Sequence, residues 1–171
     1  YIIKKKIKLA NTPHYGLSEV SDTALSFLLS LTRKTYQYNF NLINKKKLPN
    51  DWQSQKINNI KRTSDYKVCS IGAGRIGSSF LIKAKSIGFQ TFFYDPYVKS
   101  GQDKILGAKK IINFEEIFET MDIISLHCPL NEETKNLINK KILKKIKNNK
   151  EFFIINTARG GLINLDDLEN C

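Results

Sequence analysis

The chain has no apolar run long enough to span a bilayer and no cleavable secretory signal, so a soluble cytoplasmic protein that does not engage membranes is the expectation. It has only three cysteines, Cys69, Cys128 and Cys171, widely separated and without metal-ligand spacing. They are read as reduced, structural residues, and no metal site is expected. Arginine is scarce, at 4 residues against 24 lysines, although the net charge is +12. Surfaces that bind phosphate backbones usually interleave arginines and aromatics with their charge, and this chain does not. Its lysines are scattered over positions such as Lys140, Lys141, Lys144, Lys145 and Lys147, and Lys, Ile and Asn make up 62 of 171 residues, as an A/T-rich coding bias would produce. A solvated lysine face with no nucleic-acid partner follows. No internal repeat is visible, and the length allows one core, or one domain plus a piece of another.

What is present is a glycine pattern. Residues 68–77 read Val-Cys-Ser-Ile-Gly-Ala-Gly-Arg-Ile-Gly, with an apolar run before them and an amphipathic stretch after (Ile76, Phe80, Leu81, Ala84, Ile87) that stops at Gly88. Gly72 would let the chain turn sharply off a strand, Gly74 would let backbone approach a pyrophosphate, and Gly77 would let the helix pack closely on the sheet. The phosphates would then face unpaired N–H groups at the positive end of a helix dipole. An ordinary tight turn would use the same glycines, but here the context of strand, helix and second strand favours cofactor binding. Asp95 closes the next apolar run, Gln90 to Tyr94, where its carboxylate can accept hydrogen bonds from a ribose diol. NAD is favoured over NADP, because a 2′-phosphate would meet a like charge and Pro96 follows rather than an arginine.

The remaining pattern alternates. Residues 1–17 read as a strand and turn, Ser21 to about Lys46 as one long helix capped by Ser21 or Asp22, and Asn50 to Asp65 as a polar connector. Beyond the glycines the spacing predicts strands at Lys109–Ile112, Asp122–Leu126 and Glu151–Asn156, with helices at Phe114–Thr120, Ile138–Lys147 and from about Leu165. Apolar strands alternating with helices mean an α/β fold, a Rossmann-like doubly wound parallel sheet. In such a sheet the ligand lies beyond the carboxyl ends of the strands. Two further segments fall there, His127-Cys-Pro-Leu130 and Thr157-Ala-Arg-Gly-Gly161. Arg159 can bind a carboxylate through its planar fork, as a lysine could not; a surface arginine in a turn is the bland alternative. His127 is not taken as a general base, since no carboxylate is placed by sequence to orient it, and packing beside the adenine or ribose is expected instead. His14 lies in a turn flanked by Pro13 and is read as solvated or near a cleft.

Four ordered motifs carry a resemblance: Gly72-Ala-Gly-Arg-Ile-Gly77, Tyr94-Asp-Pro-Tyr97, Ser125-Leu-His-Cys-Pro-Leu-Asn-Glu-Glu-Thr134 with Asn136-Leu-Ile138, and Asn156-Thr-Ala-Arg-Gly-Gly161. Together they resemble the D-isomer-specific 2-hydroxyacid dehydrogenases. Tyr15-Gly16, Glu19-Val-Ser-Asp22 and Phe93 to Tyr97 look most like the branch of the C-terminal-binding proteins and their bacterial dehydrogenase relatives. The resemblance implies an NAD-binding domain over residues 66–171, a linking helix and connector over 18–65, and the tail of a substrate-binding domain over 1–17. It implies that Thr23 helps hold the pyrophosphate, that Arg75 and Ile76 lie against it, and that Asp95 binds the ribose. Cys128, Pro129 and Thr134 would line the cofactor loop, Thr157 and Ala158 would approach the nicotinamide, and Arg159 would be the catalytic arginine that binds a 2-oxo acid.

In the family a glutamate and then a histidine further downstream complete the acid–base machinery, and the resemblance implies that this chain stops before both. Because the chain also begins at Tyr1 and stops at Cys171 inside an expected helix, it is expected to be a fragment, or a truncated product that binds NAD without turnover. A homodimer is expected of the complete protein, the long apolar helix suiting such an interface. The leading reading is a hydride-transferring oxidoreductase acting on a small 2-hydroxy or 2-oxo acid. The alternative is an NAD-sensing regulatory module of the corepressor type, which shares every motif present.

Overall fold

The computed structural model describes residues 8–12, 14–44, 60–147 and 151–170. Helix α1 (Leu17–Arg33) leads into α2 (Thr35–Asn44), and an alternating segment follows: β1 (Lys67–Ile71), α3 (Arg75–Ser86), β2 (Gln90–Tyr94), α4 (Gln102–Leu106), β3 (Lys109–Lys110), α5 (Phe114–Thr120), β4 (Ile123–Leu126), α6 (Lys140–Leu143), β5 (Phe153–Asn156) and α7 (Leu165–Glu169). The five strands form one parallel sheet in the order β3-β2-β1-β4-β5. This is the expected Rossmann-like α/β architecture.

Alternation along each strand sorts side chains into two cores. From β1, Val68 joins Ala24, Leu28, Phe80, Leu81 and Ala84 of α1 and α3 on one face. Cys69 and Ile71 join Ile117, Phe118, Ile142 and Leu143 of α5 and α6 on the other. With both faces covered, the strands need no polar alternation, which is why they read as continuous apolar runs. At the foot of β1 the Asp122 carboxylate accepts the Lys67 N–H at 2.8 Å, fixing β1 against β4.

Several local expectations need correction. The single helix from Ser21 to Lys46 is two helices, because Lys34 adopts the left-handed conformation (φ 53°) and ends α1 by donating its N–H to the Ser30 carbonyl. The helix begins earlier than expected, at Leu17 after Gly16 (φ 69°), so neither Ser21 nor Asp22 caps it. Ser21 is buried mid-helix, where its hydroxyl donates to the Ser18 carbonyl and meets Ser79 of α3 at 3.1 Å. The helix expected over Ile138–Lys147 is only α6; Asn139 caps it by accepting the Ile142 N–H, while Ile138 is held in a bridge to Ile163. The strand expected at Lys109–Ile112 is limited to two residues, and α4 was not anticipated. Residues 8–12 have no regular structure; the rest of the strand expected near the N-terminus, most of the connector and Trp52 lie outside the described residues. No described helix is long and apolar enough to cross a membrane, and no metal-binding cluster occurs among the described residues.

Candidate functional site

At the carboxyl end of β1 the chain turns at Gly72 (φ 97°), whose N–H donates to the Tyr94 carbonyl at 2.8 Å. A Cβ on Gly72 would lie 2.7 Å from the His127 carbonyl oxygen, and one on Gly77 would lie 2.1 Å from the Gly72 carbonyl oxygen. Only glycine fits at either position. Gly74 differs, since a Cβ there meets nothing within 4 Å. Its bareness serves nothing inside the protein; it leaves open space at the head of α3, whose first turn carries no acidic residue and whose N-cap makes no side-chain hydrogen bond. A helix head beside open space is where backbone N–H groups and the helix dipole can stabilise an anion.

Asp95 is aimed at the same turn. One of its oxygens accepts the Ala73 N–H at 2.8 Å and the other the Tyr97 N–H at 2.9 Å. A carboxylate offers about four acceptor positions, so each oxygen retains capacity for a ribose hydroxyl. These features fit NAD.

Beyond the ends of β1, β4 and β5 opens a cleft of about 730 Å³ lined by Tyr15, Gly16, Val20, Ile76, His127, Cys128, Pro129, Leu130, Thr157, Ala158 and Arg159. The turn that carries Arg159 is tied by Asn156, whose side-chain oxygen accepts the Ala158 N–H at 3.0 Å and whose amide donates to the Arg159 carbonyl at 3.0 Å. The exposed Arg159 guanidinium donates to the Ala158 carbonyl at 2.9 Å. The Thr157 hydroxyl is buried and has no hydrogen-bond partner among the described residues. An orphaned buried hydroxyl costs about 1–3 kcal/mol, which a polar ligand group would relieve.

Residues 25–171 match the family described as D-isomer specific 2-hydroxyacid dehydrogenase, NAD binding domain. The chain belongs to this family. It is 33% identical over 162 residues to the D-2-hydroxyacid dehydrogenase (NAD(+)) of Clostridioides difficile, covering 94% of this chain and 46% of that protein. It is 32% identical over 163 residues to C-terminal-binding protein 1 of Caenorhabditis elegans, covering 95% of this chain and 22% of that one. Among solved structures, D-lactate dehydrogenase with NAD+ from Lactobacillus jensenii matches with a TM-score of 0.79 at 25% identity, over 99% of this chain and 48% of that chain. The chain thus spans less than half the length of each.

In this member of the dehydrogenase family the expected site residues separate into groups. Ile76, Cys128, Pro129, Thr157, Ala158 and Arg159 share the cleft, while Gly72, Gly74, Arg75, Gly77 and Asp95 build the turn beside it. Thr134 stands back: its hydroxyl donates to the Pro129 carbonyl at 2.6 Å and accepts the Asn131 N–H at 2.9 Å, shaping the loop rather than lining the cleft. Thr23 also stands apart, in a smaller groove with Glu19, Phe27, Asn156 and Thr157, its hydroxyl bonded to the Glu19 carbonyl at 2.8 Å. The α1 residue that enters the main cleft is Val20, which sequence reading missed because the register of α1 depends on where that helix starts.

Asn156 was missed as a site residue too, though its place directly before the Arg159 turn was a usable signal. The His127 ring is largely buried against Phe80, with a nitrogen 2.8 Å from the Ser125 hydroxyl, and burial depresses its pKa to about 4. It is a packed neutral imidazole. Burial also pushes the Cys128 thiol up, with a smaller contribution from the Asp95 charge.

Proposed function

We propose that this chain is the cofactor-binding part of an NAD-dependent D-2-hydroxyacid dehydrogenase that moves a hydride between C2 of a small 2-hydroxy acid and the cofactor. Bound NAD(H) supplies the hydride donor or acceptor at nicotinamide C4. The head of α3 would hold the pyrophosphate at Gly74 to Gly77, with Arg75 and Ile76 against it, and Asp95 would accept the ribose hydroxyls. Thr157 and Ala158 would border the nicotinamide, the Thr157 hydroxyl taking a polar group of that end. Arg159 would bind the substrate carboxylate through two parallel N–H donors, orienting the 2-oxo group and drawing charge from it. His127, the histidine that lines the cleft, is neutral at pH 7 and packed against Phe80, so it is not proposed as the proton donor. The isolated chain is therefore expected to bind cofactor without reducing 2-oxo acids.

One observation carries this reading: an open glycine turn at a helix head, with an acidic residue aimed at it, stands beside a cleft that an arginine lines. It is tested by titrating NADH fluorescence with the chain. Saturable binding is expected, with Asp95→Ala raising Kd at least tenfold and narrowing the preference over NADPH. No binding, or an unchanged Kd in Asp95→Ala, would sink it.

A second reading, an NAD-sensing regulatory module, draws support from the 32% identity to C-terminal-binding protein 1. It predicts that NADH changes affinity for a protein partner while 2-oxo acids have no effect. For either reading a homodimer is proposed, because Phe27 on α1 and Tyr36, Phe40 and Ile43 on α2 are left exposed.

A further inference from the structure

The segments leaving β2 and β4 meet across the glycine turn. In the sheet β1 lies between those two strands, so the loops that follow them flank the carboxyl end of β1, where Gly72 to Gly74 lie. Tyr97, two residues past Asp95, donates its phenolic O–H to the carboxylate of Glu133 in the loop after β4, through a short hydrogen bond. The backbone N–H of the same tyrosine holds Asp95. One residue thus links two carboxylates, one in the ribose position and one across the turn from it.

Glu133 is better fixed than an ordinary surface acid. Its N–H and that of Thr134 both donate to the Asn131 side-chain oxygen at 3.0 Å, and the Thr134 hydroxyl ties the loop back to Pro129. Both carboxylates are felt at the Tyr97 phenol, whose pKa is raised first by Glu133 and to a smaller degree by Asp95. Because Tyr97 holds Asp95 by its N–H and Glu133 by its O–H, the two carboxylates lie within the reach of one tyrosine of each other. A neutral 2′-hydroxyl would be indifferent to a second negative charge there. A 2′-phosphate, carrying about −1.5 to −2 at pH 7, would not.

We propose that Glu133, held in place by Tyr97, is a second determinant of NAD over NADP that acts by repelling a 2′-phosphate and makes no bond to NAD itself. This rests on the cofactor reading above. Asp95 discriminates both by offering acceptors that a diol satisfies and by its own charge; Glu133 discriminates by charge alone. Its whole contribution is therefore salt-sensitive, since a through-space repulsion between exposed groups fades as the Debye length falls from about 10 Å at 0.1 M to about 3 Å at 1 M. In high dielectric such a repulsion is expected to be about three- to tenfold in affinity at low salt.

The test is fluorescence titration of NADH, and of NADPH by competition, on the chain and on its Glu133→Gln and Tyr97→Phe variants. Both side chains are exposed, and thermal melts verify that the variants fold. Glu133→Gln is expected to tighten NADPH three- to tenfold at low salt while NADH stays within twofold, and the gain should vanish at 1 M salt. Tyr97→Phe, which releases Glu133 without removing its charge, should give a smaller gain in the same direction. An unchanged NADPH affinity in Glu133→Gln would overturn the proposal, and so would an equal gain for both cofactors, which would make the contact a barrier to access rather than a selector. If the unmodified chain binds neither cofactor, the cofactor reading falls and this inference with it; if it binds NADH but the ratio does not move, this inference falls alone.

Discussion

Two turns of this molecule present functional groups at the same end of the sheet, and they are built by opposite means. The turn after β1 is shaped by missing side chains: Gly72 and Gly77 sit where a Cβ would strike backbone oxygen at 2.7 and 2.1 Å. The turn after β5 is shaped by a side chain that is present, Asn156, which clamps it by an accepted and a donated hydrogen bond of 3.0 Å. Steric exclusion gives a rigid cradle whose shape cannot be altered without loss of packing. A hydrogen-bonded clamp gives a turn that can be loosened while the fold survives, and it carries Arg159, which lines the cleft.

The largest effect should come from Gly77→Ala, which forces apart the turn and α3 and should destabilise the chain by about 3 kcal/mol in urea unfolding. Gly74→Ala, facing open space, should stay within about 0.5 kcal/mol. Equal losses at both sites would mean that the first turn is not held by sterics. Asn156→Ala should cost about 1–2 kcal/mol from two lost hydrogen bonds and should speed amide hydrogen exchange at Ala158. Unchanged exchange there would show that the second turn holds without its clamp.

A pH dependence is expected from His127, whose carbonyl crowds Gly72. Its pKa is depressed by burial from 6.5 to about 4, so the unfolded chain takes up the proton first on acidification. Stability should be full above pH 6.5 and fall by about 1 kcal/mol per pH unit down to pH 4, then level off; His127→Gln should flatten that window. Glu115, lowered to about 2 by hydrogen bonds from Lys141 and Lys145, should add its loss only between pH 4.5 and 2. A slope confined to that lower window would show that His127 titrates as a free histidine.

Legibility followed the range of the forces involved. The glycine turn, Asp95 and the parallel alternation were readable because each answers a local demand: a backbone angle, a strand end, a buried run. The break at Lys34 was not, since it places a lysine in a left-handed conformation beside Glu151, whose carboxylate meets its ammonium 3.1 Å away and 117 positions along the chain. The short α6 was hidden for a similar reason, Ile138 being drawn into a bridge with Ile163. Thr23, expected at the pyrophosphate from the resemblance, lines a smaller groove that shares Val20 and Thr157 with the main cleft, a placement that no local run of residues shows.

By itself the sequence determined the fold class, the turn geometry at Gly72 and Gly77 and the acidic end of β2, because those depend on residues within a few positions of one another. Only the tertiary structure decided which face of α1 lines the cleft and that Tyr97 reaches Glu133 across the end of β1. Those contacts arise because the sheet places β1 between β2 and β4, and strand order is a property of the packed molecule that no local run of residues encodes.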